Sequence, residues 1–486
     1  MTTPDFHTPT WVHDAVFYQI FPDRFAHSAA VEKPGNLEPW DAPPTPYGFK
    51  GGDLLGIVER LDYLQDLGIT AIYLNPIFQS ASNHRYHTHD YYRVDPLLGG
   101  DAAFRRLLDE AHRRGIRIIL DGVFNHASRG FFQFNHILEV GAQSPYLDWF
   151  VIYGFPLNAY EGTPNYKCWW NLPALPEFNH ANPQVQRFIF DVARYWLEQG
   201  IDGWRLDVPF CVTEPGFWAH FREVVKRTNP EAYITGEIPE AADPWLQGDQ
   251  FDGVMNYLLT YACWGFFGGE RLQRDLVGHW YDHGPDYFVT DATAFAAKIT
   301  HLLERYPRPA VLAQLNLLDS HDTARFLTLV GGERALLRLA VLFMLTYPGA
   351  PCVYYGDEIG LEGGQDPDCR RAFPWDERRW DHDLRAWYRT CIALRRAHPA
   401  LRTGDFIVLQ AQGQVLTYLR RRGEDQAVVV LNRSAQTLHL DVAAGASLPE
   451  GSIWRDALGS GTAQVTNGHL HGLTLGPLSG AVLLPT

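Results

Sequence analysis

The six residues Gly203-Trp204-Arg205-Leu206-Asp207-Val208 read as a short apolar β-strand that carries an arginine and a carboxylate two positions apart and stops at Pro209. Alternate strand residues share a face, so Arg205 and Asp207 point the same way. The guanidinium is then expected to hold the acid ionised and oriented. A carboxylate held like this suits a nucleophile. A structural ion pair at a strand end is the competing reading, and the rest of the chain decides between them.

Outward from this strand, short apolar runs alternate with amphipathic segments, the pattern of parallel βαβ units. Before it lie AVFYQI (15–20), the helix DLLGIVERLDYLQDL (53–67) stopped by Gly68, ITAIYLNP (69–76), the helix DAAFRRLLDEAHRRG (101–115) and IRIILDGVF (116–124). After it come a helix near EPGFWAHFREVVKRTN, AYITGEI (232–238), FDGVMNY (251–257), AQLNLLD (313–319), PCVYYGDE (351–358) and a last helix from Leu384 to His398. Eight strands of this kind predict a (β/α)8 barrel over 1–124 and 181–402, with its working face at the C-terminal strand ends. The stretch 125–180, rich in Gly, Pro, Asn and aromatics, is too long for a simple connection. It is expected to form a small inserted subdomain over the barrel mouth. From 403 to 486 the texture changes to alternating strands and turns, which predicts an antiparallel β-sandwich.

Composition narrows the function. Hydrophobic residues make up 46%, with 15 Trp, 23 Tyr and 28 Phe, enough for a large core and for aromatic surface facing flat, hydroxyl-bearing ligands. A net charge of -15 disfavours a nucleic-acid partner and suits an uncharged one such as a sugar. Six cysteines without CxxC spacing argue against a zinc site or a disulfide framework. The N-terminus has no basic start or apolar run, and no stretch is long and apolar enough to span a bilayer. The expectation is a cytoplasmic protein with no membrane partner.

Four acidic residues fall at or just past predicted strand ends: Asp121, Asp207, Glu237 and Asp322. One such carboxylate is usually structural, but four on one rim would repel one another unless a function retained them. The segments that carry them, DGVFNH (121–126), GWRLDV (203–208), TGEI (235–238) and LLDSHD (317–322), resemble the four signature segments of the α-amylase superfamily of retaining glycoside hydrolases, in their usual order. The resemblance implies Asp207 as nucleophile, Glu237 as acid/base and Asp322 as the acid that grips sugar hydroxyls and stabilises the transition state. It further implies that Asp121 is mainly structural, that His126, His321 and Tyr86 meet the reacting sugar, and that Asp90 and Asn125 brace the site. Asp366 and Arg370, in GGQDPDCRR, match a pair that binds a sugar further toward the non-reducing end. The chemistry agrees: a retaining glycosidase needs one ionised carboxylate to attack and one protonated carboxyl to donate, so Glu237 is expected to hold a raised pKa while Asp207, paired with Arg205, stays ionised.

FYQIFPDRF (17–25), LPEFN (175–179), DPWLQGDQFDGVMNY (243–257) and YYGDEIG (354–360) are most similar to the neopullulanase, cyclomaltodextrinase and maltogenic amylase group. That implies cleavage of α-1,4 links in maltooligosaccharides, cyclodextrins and pullulan. Three departures matter. The group's N-terminal β-sandwich has no counterpart in the 16 residues before Phe17, so a monomer is expected. Phe210, Cys211 and Pro239 stand where Asn, Glu and Trp are common, which alters the acceptor side. The stretch AHSAAVEKPGN (26–36) offers few oxygen ligands for calcium, so no tightly required metal or other cofactor is expected. A glucanotransferase sharing the same intermediate, and a non-catalytic sugar-binding protein of the same fold, are the alternatives.

Overall fold

A computed structural model describes residues 6–486; the leading residues 1–5, part of the stretch read as lacking a targeting signal, lie outside the described residues. Eight parallel strands form the first sheet: β1 (Phe17–Ile20), β2 (Ala71–Leu74), β3 (Arg117–Gly122), β4 (Gly203–Leu206), β5 (Tyr233–Gly236), β6 (Gly253–Val254), β7 (Leu315–Leu317) and β8 (Ala350–Tyr354). Their order is β6-β5-β4-β3-β2-β1-β8-β7, and a parallel bridge between Met255 and Leu315 joins the two ends. The barrel is therefore closed, the arrangement the alternating pattern predicts.

Every residue of β1, β2, β4, β5 and β8 is buried, as a sheet covered on both faces requires. The strands are shorter than the apolar runs, because ladder pairing stops where the chain turns toward the rim. Asp207 and Glu237 each sit one residue past a strand, yet their amides continue the ladder: Asp207 N donates to Gly122 O at 3.1 Å and Glu237 N to Leu206 O at 2.9 Å. Close strand approach also sets composition. A Cβ on Gly203 would lie 2.2 Å from the Tyr233 carbonyl oxygen, so a side chain there would force β4 and β5 apart.

The helix expected over 53–67 is two, Leu54–Glu59 and Leu61–Leu67. Arg60, with φ -111° and ψ 6°, leaves helical geometry between them. Asp53 caps the first, accepting from Gly56 N at 2.7 Å and from Ser28 N at 2.8 Å.

Between β3 and the helix Pro183–Glu198, the chain leaves the barrel. It forms the helix Phe132–Val140 and isolated antiparallel bridges that tie His126 to Glu177, Phe150 to Phe178, Ile152 to Tyr166 and Cys168 to Pro176. An aromatic cluster of Phe131, Phe134, Phe150 and Phe178 fills it.

The second sheet is antiparallel: β9 (Asp405–Gln412), β10 (Val415–Arg422), β11 (Asp425–Asn432), β12 (Leu438–Ala443), β13 (Ile453–Asp456), β14 (Thr462–Thr466), β15 (His469–Leu475) and β16 (Ser479–Pro485), in the order β9-β10-β11-β16-β13-β14-β15-β12. Strand β11 is buried on both faces. Ala427, Val429 and Leu431 join the barrel's core while Val428 and Val430 face the sandwich interior, the two-residue period of a strand dividing one sequence between two cores.

Candidate active site

Register brings the site together. Asp121 on β3 pairs with Arg205 on β4, and Arg205 Nη1 donates to both Asp121 oxygens at 2.8 and 3.0 Å and to Asp207 Oδ1 at 3.1 Å. Its other nitrogen, Nη2, lies 3.0 Å from Glu237 Oε1. The guanidinium is fully buried and serves three carboxylates at once. Val208, directly after Asp207, adopts φ 36°, and its amide donates to Glu237 Oε2 at 3.1 Å. Asp207 and Glu237 are thus held by one cation and by the backbone that joins β4 to the loop.

Asp322 lies beyond β7. It accepts from Arg370 Nη2 at 3.2 Å and lies 3.1 Å from His321 Nε2. Arg370 Nη1 reaches Asp366 at 2.9 Å. The Tyr86 hydroxyl donates to Asp121 Oδ2 at 2.9 Å, accepts from Asn75 Nδ2 at 3.0 Å and meets His321 Nε2 at 2.7 Å. Gln19 Nε2 stands 2.9 Å from His321 Nδ1, which makes that nitrogen the acceptor and leaves the proton on Nε2. Tyr86 and His321 stack at 5.5 Å with their planes nearly parallel, at 3°.

These residues line one cleft of about 500 Å³. Of the nine expected site residues, Asp207, Glu237, Asp322, Tyr86, His126, His321, Asp366 and Arg370 face it, and Arg205 lies beneath. Phe210, Cys211 and Pro239 also reach its wall. Asn125 is fully buried beside His126, its Nδ2 3.4 Å from His126 Nδ1. The Asp90 carboxylate accepts from Tyr92 N at 2.8 Å within the strand Thr88–Val94, and Asp90 is not among the residues that line the cleft. Several lining residues were not foreseen: His84, His87, Trp169, Trp170, His279, Trp280 and His283. The adjacent tryptophans of CWWNLP (168–173) and the spaced histidines of HWYDH (279–283) were the available signals, polar or aromatic residues in loops where no core needs them.

Electrostatics follow from burial. Burial pushes the imidazole of His126 down to about 3 and that of His87 to about 4, and lowers His84 and His321 as well. All four are neutral near pH 7 and can exchange hydrogen bonds with hydroxyls. Burial also raises Asp207 well above the ordinary carboxylate range; Arg205 opposes this, and Glu237, Asp121 and Asp322 add to it by repulsion. Asp322 is pushed up to about 7, first by burial and then by Glu237. Carboxyls outnumber the two guanidiniums of Arg205 and Arg370, so Asp207 and Asp322 each feel uncompensated negative charge from their neighbours. The expectation that Asp207, paired with Arg205, stays ionised is corrected: burial and the neighbouring carboxylates raise it, and the guanidinium that opposes them is shared among Asp121, Asp207 and Glu237.

Among the described residues no three His, Cys, Asp or Glu side chains converge as a metal-binding group, and no helix is long and apolar enough to cross a membrane.

Comparison with known proteins agrees with this geometry. Residues 19–390 match the alpha amylase catalytic domain and 406–483 the neopullulanase-like C-terminal domain. A cyclomaltodextrinase from Bacillus sp is 46% identical over 88% of this chain and 74% of its own length. The crystal structure of a debranching enzyme from Nostoc punctiforme superposes with a TM-score of 0.91 at 49% identity, covering 99% of this chain and 100% of that one. A cyclic α-maltosyl-(1→6)-maltose hydrolase from Arthrobacter globiformis superposes with a TM-score of 0.87 at 38% identity, over 98% of this chain and 99% of that one. With both of its domains matched and its carboxylates gathered on one barrel rim, this chain belongs to the α-amylase family of glycoside hydrolases.

Proposed function

We propose that this protein hydrolyses α-1,4-glucosidic bonds in maltooligosaccharides and cyclodextrins, with pullulan as a further substrate, by double displacement with retention. The observation that carries the reading is the pairing of Asp207 and Glu237 on one buried guanidinium, with Asp322 and neutral imidazoles in the same cleft. Asp207 forms a bond to the anomeric carbon as the glycosidic C–O bond breaks, and Glu237 gives its proton to the departing oxygen. Water then loses a proton to the Glu237 carboxylate and attacks the same carbon, which frees Asp207. Asp322, His126 and His321 hold the sugar hydroxyls, Tyr86 offers its ring, and Asp366 and Arg370 take the next glucosyl unit.

The apolar wall of Phe210, Cys211 and Pro239 favours one second reading. A sugar competes better with water as acceptor on such a surface, so transfer accompanies hydrolysis at high substrate. Two structural relatives are named for branched or α-1,6-linked glucans, which makes α-1,6 cleavage part of the test. The six free cysteines, five of them buried, suit a reducing compartment such as the cytoplasm.

Chromatography of products from maltohexaose, γ-cyclodextrin and pullulan tests the reading, together with NMR of the first anomer released. The α-anomer is expected, and Asp207→Asn and Glu237→Gln should each lose at least ~100-fold in turnover while melting as the wild type does. An initial β-anomer, or a tenth of the wild-type turnover in either variant, would overturn it.

A further inference from the structure

The inserted segment and the barrel meet over the cleft in an unbroken run of rings. His126 stacks on Trp169 at 5.6 Å and 27°, and Trp169 on Trp170 at 4.7 Å and 6°. Trp170 meets His279 edge-on at 6.1 Å. His279 lies 5.1 Å from Trp280, which stacks on Tyr257 at 4.9 Å and donates from Nε1 to the Asp322 carbonyl oxygen at 3.1 Å. One foot of this arch is therefore a residue beside the reacting centre, the other the backbone of Asp322. Trp169, Trp170, His279 and Trp280 all line the cleft.

Trp170 is the exposed member. It is 70% accessible, and both it and Asn171 adopt left-handed backbone, with φ of 50° and 56°. Non-glycine residues enter that region at a steric cost, and two in succession survive where the surroundings impose them. Here the backbone on either side is pinned, Trp169 N to Leu175 O at 3.0 Å and Leu172 N to Trp169 O at 2.9 Å. A large apolar ring displayed by a strained, pinned turn lacks a packing explanation, since burial is what normally rewards a tryptophan.

We propose that Trp170, backed by Trp169 and bordered by His279, is a stacking platform for a glucosyl unit of an α-glucan outside the reacting centre, so that it selects for substrates long enough to reach it. The proposal rests on the α-glucan reading above. The flat C–H face of a pyranose matches an indole face, and the neighbouring imidazole can accept from or donate to its hydroxyls. Two ring-to-ring steps, of 5.6 and 4.7 Å, separate Trp170 from His126, so a glucosyl unit on Trp170 is not the one held at the carboxylates.

The test is calorimetric titration of maltohexaose and of maltose into the Asp207→Asn protein, with and without Trp170→Ala. Maltohexaose should bind about three- to tenfold more weakly without the ring, the effect of one aromatic partner, while maltose changes by less than about twofold on the same scale. Trp170→Phe should restore most of the loss. Equal maltohexaose affinity in the two proteins would overturn the proposal, and so would an equal loss for maltose, which would make Trp170 a support of the reacting centre. If the wild type cleaves no α-glucan yet maltohexaose still binds through Trp170, the hydrolase reading fails and the platform stands.

Discussion

Val208 shows how a single backbone conformation can serve the chemistry. A β-branched residue at φ 36° and ψ 48° is strained, on the order of 1–3 kcal/mol, but the conformation turns its amide toward Glu237. Val208→Gly releases that strain while losing a buried side chain, so stability should change by less than about 1 kcal/mol. The freed backbone should lower turnover by about ten- to a hundredfold, the scale of a small misplacement; calorimetry and initial rates check the two halves. Asp322 carries the opposite kind of cost. It titrates near 3.8 in the unfolded chain and near 7 in the native one, so between those values the native state binds the extra proton. Stability therefore falls as pH rises through that window, and the whole penalty is present above about 7. Asp322→Asn has no charge to bury. Its stability relative to wild type should climb from about pH 4 to about pH 8, by on the order of 4 kcal/mol for a shift of about three pKa units, while hydrolysis collapses. A difference that stays flat with pH would show that Asp322 does not carry this penalty.

At the scale of elements, the loop between β1 and the helix Leu54–Glu59 is organised by an internal cation. Lys50 is buried, and its Nζ donates to the carbonyls of Pro39 and Ala42, both at 2.7 Å, with Glu38 Oε2 at 3.3 Å. Lys33 Nζ similarly meets Asp53 at 2.8 Å. We propose that these ammonium groups do the work that a divalent ion would do, since the Pro39 and Ala42 carbonyls already accept from one and Glu38 and Asp53 are already paired with one. Dialysis against EDTA should leave the melting temperature within about 2 °C, because losing a native-state ligand would lower it by mass action. Lys50→Met should cost about 3 kcal/mol by leaving Glu38 and two carbonyls without their cation. A large drop in EDTA, with Lys50→Met tolerated, would reverse the assignment. The same oxygen-to-cation logic joins the barrel to the sandwich. Arg395 Nη1 donates to Leu345, Tyr347 and Leu401 carbonyls at 3.0 to 3.1 Å, and Arg420 Nη1 reaches the Leu401 and Thr346 carbonyls.

For the molecule as a whole, the two sheets and the inserted segment form one framework, and the cleft that holds the carboxylates lies where strand ends and insert meet. The order of the βα units, the two-residue period of β9 to β16 and the carboxylates at strand ends were all legible in the linear chain. Each is a local property: hydrophobic period reports which face is buried, and a strand that ends in Asp or Glu presents it at the rim. The acidic segments also carried the family resemblance, which is why eight of nine expected residues line the cleft and the ninth underlies it. What the chain did not disclose was how those groups share charge. Arg205 serves Asp121 and Glu237 as well as Asp207 because the β3–β4 register sets Asp121 beside it, and register is a property of paired strands, not of either sequence. The arch from His126 to Trp280 was out of reach altogether. Trp170 and His279 are far apart in sequence, on loops with no period to read, and only the path of the folded chain brings their rings together.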